Sequence, residues 1–91
     1  MKLNPLRNKI TQTDKEIINL LFRRISLSRK IAVQKRKNNI IIKNGKREKE
    51  VSEFWTEQAI RHNLNAKFIL SLLKLILKES RRVQHAENNQ V

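Results

Sequence analysis

The chain has no cysteine, which excludes disulfide cross-links and thiolate metal sites. Its two histidines, His62 and His85, stand far apart with no ligand-like spacing, so no metal is expected. A single glycine and a single proline among 91 residues leave few turn signals. Few turns in a chain of this length mean few, long elements, which favours helices. Acidic residues are scarce as well: 8 Asp and Glu stand against 21 Lys and Arg, for a net charge of +13. The first residues, Met1 to Lys9, hold no apolar signal core. The longest apolar stretch, Phe68 to Leu77, is broken by Ser71 and Lys74 and is too short to span a bilayer. A cytoplasmic protein with no membrane association is the expectation.

What is present fits one small domain over residues 1–91. A chain this short buries a limited fraction of its surface, so burial shared in an oligomer would add to its stability. The excess of positive charge attracts anions of any kind, from nucleic acid to a small polyanionic substrate. Charge alone does not choose between them.

Asn4-Pro5 reads as an N-cap followed by proline at the first helical position. From there Leu6, Ile10, Ile17, Leu20, Leu21, Leu27 and Ile31 recur at helical spacings, with no Gly or Pro before Gly45. The pattern predicts one helix over roughly residues 5–38, about 50 Å long at 1.5 Å per residue. A compact domain of this size is narrower than that. The helix must project beyond its own subunit, and it needs a partner. Asn38-Asn39 ends it, and Ile40-Ile41-Ile42 reads as a short apolar connector. Asn44-Gly45 opens a second helix over roughly 45–62, with Val51, Phe54, Trp55 and Gln58 on one stripe. Asn65 caps a third over roughly 66–86, with Ile69, Leu72, Leu73, Ile76 and Leu77 inward and a frayed tail from Glu87. The expected fold is all-α, three helices with one very long, and that long helix calls for a partner.

Certain polar residues fall in apolar rows. On the first helix one seven-residue register reads Leu3, Ile10, Ile17, Arg24, Ile31, and its neighbour reads Arg7, Asp14, Leu21, Ser28, Lys35. Arg24 and Lys35 thus stand on or beside the buried face, where a lone charge is costly unless paired. They can snorkel or pair with carboxylates, or they can bind something. On the third helix the inner face continues from Ile69, Leu73 and Ile76 into Ser80 and Gln84. On the second, Arg47 and Glu48 precede Val51 and Trp55 on one stripe. Taken singly these are a core amide and a first-turn surface pair. Together they put hydrogen-bonding groups from three helices toward one interior, the profile of a polar pocket in a bundle.

Arg24 and Lys35 lie about 16 Å apart along the helix axis, within reach of one small ligand from two ends. Arg7 lies about 25 Å from Arg24, too far to join them. In an antiparallel dimer of the long helix, the partner's Arg7 comes alongside the segment between residues 24 and 35. Three cations from two chains suit a dicarboxylate.

These residues also carry a family resemblance. Leu6-Arg7-Asn8-Lys9-Ile10 with Asp14, then Leu20-Leu21-Phe22-Arg23-Arg24, Ile31-Ala32 and Lys35, resembles the first helix of the all-α chorismate mutases. Arg47-Glu48 resembles the family's Arg-Glu pair, and Ser80 with Gln84 its Ser and Gln on the third helix. The likeness runs from residue 6 to 84 without insertion or deletion, and it matches the form that begins a longer polypeptide fused to prephenate dehydratase. It implies an isomerase without a cofactor, converting chorismate to prephenate in aromatic amino acid biosynthesis. It implies an intertwined dimer in which each active site borrows Arg7 from the other chain. Arg7 and Arg24 would bind the two substrate carboxylates, assisted by Ser80, with Arg47 supporting that end. Lys35 and Gln84 would be catalytic, donating to the ether oxygen, with Lys35 also touching a carboxylate. Glu48 would accept from the ring hydroxyl beside the backbone N–H of Asn44, where the family often has Asp. Because that contact is through the backbone, little loss is expected.

Two other readings are open to the sequence. Isochorismate-pyruvate lyase, of similar fold, handles a near-identical dianion in a similar cationic pocket. A basic helical dimer that binds nucleic acid is the alternative from another class. It would place its cations on a solvent-facing stripe and gives Arg24, Lys35, Ser80 and Gln84 no reason to face inward, so nucleic acid is not the expected partner.

Overall fold

A run of residues from Leu3 with neither glycine nor a second proline lets the first helix continue unbroken through α1 (Leu3–Lys37). The structure is a computed structural model describing residues 2–88. Asn4 is not the N-cap expected of it: Lys2 holds that position, without a side-chain cap bond. The first four N–H groups of any helix lack intrahelical partners, so Pro5 within the first turn forfeits no hydrogen bond. Leu3 and Asn4 can therefore be helical.

Two asparagines do the work usually left to glycine. Asn39 and Asn63 both take left-handed backbone, with φ of 54° and 53°, a conformation Asn tolerates better than most residues. Behind Asn38, Ile40 N–H donates to the carbonyl of Lys35 at 2.8 Å and Asn39 N–H to that of Arg36 at 3.3 Å. Behind His62, Leu64 N–H reaches Ala59 at 2.8 Å and Asn63 N–H reaches Ile60 at 3.1 Å. Both helices thus end in the same Schellman arrangement, which satisfies their last carbonyls and turns the chain back on itself. The turn at Asn39 delivers Ile40 to Ile42 alongside the last turn of α1 as an irregular connector.

Asn44 then caps α2 (Gly45–Arg61), its Oδ1 accepting from Arg47 N–H at 3.1 Å. Asn65 caps α3 (Ala66–Asn88) in the same way, accepting from Phe68 N–H at 2.9 Å. The third helix runs on through Glu87 and Asn88, both half-buried, where the sequence suggested fraying; residues 89–91 lie outside the described residues.

The helix α3 packs against both α1 and α2, while the backbones of α1 and α2 do not approach each other closely among the described residues. A groove is left between the outer two, floored by α3. Among the described residues the buried apolar ones are few: Ala32, Ala59, Leu73, Ile76 and Val83. Beside them three polar residues are buried, Ser28, Ser80 and Gln84.

Much of the expected apolar face finds no cover within the chain. Leu6, Ile10, Ile17 and Leu20 are exposed, as is every residue from Lys2 to Leu20. Phe54 on α2 and, marginally, Leu72 on α3 are exposed too. The reason is geometric: the molecule measures 57 × 28 × 15 Å, and the first half of α1 extends past the end of the other helices. No helix among the described residues is long and apolar enough to cross a membrane.

Candidate active site

The groove encloses a cavity of about 300 Å³. Helix α1 contributes Arg24, Ser28 and Lys35; α2 and its cap contribute Asn44, Arg47 and Glu48; α3 contributes Ser80, Arg81 and Gln84. Leu27, Ile31, Ile42, Val51 and Leu77 form the apolar part of the wall. Every residue singled out in the sequence therefore lies here except Arg7, which is exposed on the projecting half of α1.

Ser28 and Ser80 are both 5 % exposed, and their hydroxyls meet at 3.1 Å where α1 crosses α3. Only small side chains allow that approach. The Ser28 hydroxyl also lies 3.1 Å from the carbonyl of Arg24, one turn earlier. Arg24 Nη1 donates to Ser80 Oγ at 2.7 Å, which aims its guanidinium across the groove rather than out along the helix. Burial, and then the nearby Arg47 guanidinium, push the pKa of Arg24 below the ordinary arginine range. The pocket therefore disfavours the charge it holds, which is the electrostatic condition of a site awaiting an anion.

Lys35 stands at the other end. Its ammonium donates to the carbonyl of Ile42 and lies 3.4 Å from Oε1 of Gln84. The Schellman turn at the end of α1 is what returns the Ile42 carbonyl to this point. Gln84 is 8 % exposed.

Neither Arg24 nor Lys35 pairs with a carboxylate among the described residues. Glu48, the one carboxylate in the cavity wall, is held instead by Arg81 at 2.7 Å. Arg47 faces Glu50 at 3.3 Å in an exposed pair, of the kind that contributes little to stability. The cavity thus carries four cationic side chains and one carboxylate.

Two further polar wall residues, Ser28 and Arg81, are not among the site residues expected from the sequence. Ser28 shares the register of Leu21 and Lys35, and a small hydroxyl in an apolar row one turn from Arg24 was the cue. Arg81 follows Leu77 by one turn on the inner side of α3, but nothing local in the sequence links it to Glu48 on another helix. No group of three or more His, Asp or Glu with metal-binding geometry occurs among the described residues.

Fold and cavity together define an all-α protein with a cationic pocket sized for a small anion. The chain belongs to the chorismate mutase type II family, which residues 6–85 match. It is 42% identical over 74 residues to the bifunctional chorismate mutase/prephenate dehydratase of Buchnera aphidicola subsp. Baizongia pistaciae, 81% of this chain and 20% of that protein. The proteins of the same name from subsp. Schizaphis graminum and subsp. Acyrthosiphon pisum are 40% and 36% identical over 74 residues, covering 81% of this chain and 19% of each. The chain spans about a fifth of the length of these curated relatives.

Proposed function

We propose that this chain is a cytoplasmic chorismate mutase that rearranges chorismate to prephenate in a homodimer with shared active sites. The observation that carries the reading is the pair of half-buried cations, Arg24 and Lys35, that face one cavity without a carboxylate partner. An uncompensated charge in a partly desolvated place is costly, and a dicarboxylate substrate is what relieves it.

The reaction is an intramolecular [3,3] rearrangement: a C–O bond breaks as a C–C bond forms, and no proton, electron or group leaves the molecule. It calls for two things from a protein. The flexible enolpyruvyl arm must be held over the ring, an orientation effect that carboxylate-binding cations deliver. Negative charge builds on the ether oxygen as its bond lengthens, and fixed donors aimed there stabilise the transition state more than the substrate. Arg24 with Ser80 and the partner's Arg7 bind the carboxylates, with Arg47 behind them. Lys35 and Gln84 donate to the ether oxygen. Glu48 and the backbone at Asn44 receive the ring hydroxyl.

The dimer rests on surface area. A folded monomer of this mass exposes about 5,600 Å², whereas this chain exposes 7844 Å². The excess is roughly 2,200 Å² per chain, and about 4,500 Å² for two chains falls in the range of obligate interfaces. The apolar row Leu6, Ile10, Ile17 and Leu20 on the projecting half of α1 is the surface to be covered. Pairing α1 with an antiparallel copy covers it and brings the partner's Arg7 to the cavity. Incubating the purified chain with chorismate and following prephenate tests the function, and pyruvate release from isochorismate is the control for lyase activity. A folded, dimeric protein that forms no prephenate would overturn the assignment.

A further inference from the structure

Four ion pairs occur among the described residues, and three join residues within one helix. The fourth, Arg81 to Glu48, ties α3 to α2 at the cavity wall, with side chains only 32% and 26% exposed. Its geometry differs from that of the neighbouring Arg82, which engages both carboxylate oxygens of Glu79, at 2.6 and 2.9 Å. Arg81 grips a single oxygen of Glu48, Oε2, at 2.7 Å. The other, Oε1, has no protein donor among the described residues. A carboxylate held by one oxygen is fixed in place and still open to a second donor.

The pair also has a competitive side. Glu48 shares the cavity with Arg24, Lys35 and Arg47, and a free glutamate in such a setting would swing toward one of those cations. It would then occupy the place of a substrate carboxylate. Arg24 and Lys35 stand without carboxylate partners while Arg81 has one, so Arg81 is what keeps Glu48 from neutralising the pocket.

We propose that Arg81 is a positioning residue: it anchors Glu48 through Oε2 so that Oε1 accepts the substrate's ring hydroxyl, and it holds that carboxylate away from the anion-binding cations. The inference rests on the reading of the cavity as a chorismate site. Arg81 Nη1 is engaged by Glu48, and in this role the residue acts on the substrate through that carboxylate.

The test is a kinetic cycle on the dimeric protein with Arg81→Met, Arg81→Lys, Glu48→Gln and the Arg81→Met/Glu48→Gln double variant. Each is checked by circular dichroism and thermal melting. Arg81→Met should lose about 10- to 100-fold in kcat/KM, the loss expected for one charge-assisted hydrogen bond, and should raise KM as Glu48 competes with substrate. Arg81→Lys, which still offers a cation to one oxygen, should recover most of the loss and also serves if the methionine variant does not fold. In the Glu48→Gln background, Arg81→Met should change kcat/KM by less than threefold. An equal loss in both backgrounds would mean that Arg81 acts on the substrate directly, and a parent-like Arg81→Met would mean that it does not act at all. Either result overturns the proposal while leaving the mutase intact. A parent protein that makes no prephenate overturns the function itself.

Discussion

Lys35 on α1 and Gln84 on α3 meet in the groove, with Nζ of the lysine 3.4 Å from Oε1 of the glutamine. An ammonium only donates, so it takes the amide oxygen and leaves the NH₂ as a donor toward the cavity. Two helices far apart in sequence thereby present two donors side by side. That is the arrangement needed at an oxygen gaining negative charge.

Gln84→Glu tests this directly. The shape is nearly kept, but a carboxyl group donates only when protonated, and an unperturbed glutamate titrates near about 4.3. Lys35 favours the ionised form, while burial opposes it. At about pH 7.5 the variant should be strongly impaired, and it should recover toward about pH 5 as the carboxyl gains its proton. The parent should change little over that interval. Measuring kcat/KM from acid to neutral pH, with circular dichroism at each point, separates the two; parallel profiles at comparable activity would remove residue 84 from the breaking bond.

Lys35 should be the most sensitive single position. In the proposed mechanism it would serve both a carboxylate and the ether oxygen, two charged hydrogen bonds of roughly 1.5–3 kcal/mol each. Lys35→Ala should therefore lose on the order of 100- to 10,000-fold in kcat/KM. The fold should survive, since the change removes a half-buried charge, although the connector loses its tie at Ile42. Activity within about tenfold of the parent, well under the usual effect of one such donor, would deny Lys35 a catalytic role.

Subunit exchange tests the shared site. Arg7 lies on the projecting half of α1, outside its own cavity. Arg7→Ala and Lys35→Ala homodimers should each be nearly inactive. If the proposed dimer forms, mixing and exchange give heterodimers in which one site collects both defects and the other neither, so activity should return. Exchange verified by mass spectrometry with no recovery would place Arg7 outside the partner's site.

Arg24 should cost stability in the free protein. Its folded pKa lies below the ordinary value, so the charged form is less favoured folded than unfolded. Because arginine stays protonated in both states at neutral pH, this penalty is present throughout that range and would ease only in strong alkali. Arg24→Met should thus melt no lower than the parent, while prephenate formation collapses. A dicarboxylate inhibitor should raise the Tm of the parent by mass action and leave that of the variant unmoved. A clear drop in the variant's Tm would show that the Arg24–Ser80 bond is structural first.

Ser28→Ala removes a buried hydroxyl that touches Ser80 and the Arg24 carbonyl. Ser80 keeps its bond from Arg24, so the expected destabilisation is about 0.5–1.5 kcal/mol, read by urea denaturation. Activity should fall only a few-fold, since no substrate contact is lost. A loss as large as that of Lys35→Ala would make Ser28 a ligand of the substrate.

The sequence by itself determined three helices, because their boundaries rest on local chemistry. Asn44 and Asn65 cap within their own turns, Asn39 and Asn63 can take left-handed backbone at little cost, and the rows of Leu and Ile on α1 and α3 declare a 3.6-residue period. The inward placement of Arg24, Lys35, Ser80 and Gln84 followed from the same periodicity. Periodicity says which side of a helix a residue occupies and nothing about what stands opposite. Only the tertiary structure decided that Ser28 meets Ser80, that Arg81 rather than Arg24 holds Glu48, and that Ile42 turns back onto Lys35. The first two are contacts between segments distant in the chain, set by how α1 and α2 pack on either side of α3, and the third depends on the path the connector takes after the turn at Asn39. The apolar row of Leu6, Ile10, Ile17 and Leu20 marks the same boundary: the pattern required a covered face, and three helices of one chain leave it open because α1 outruns the helices that could cover it.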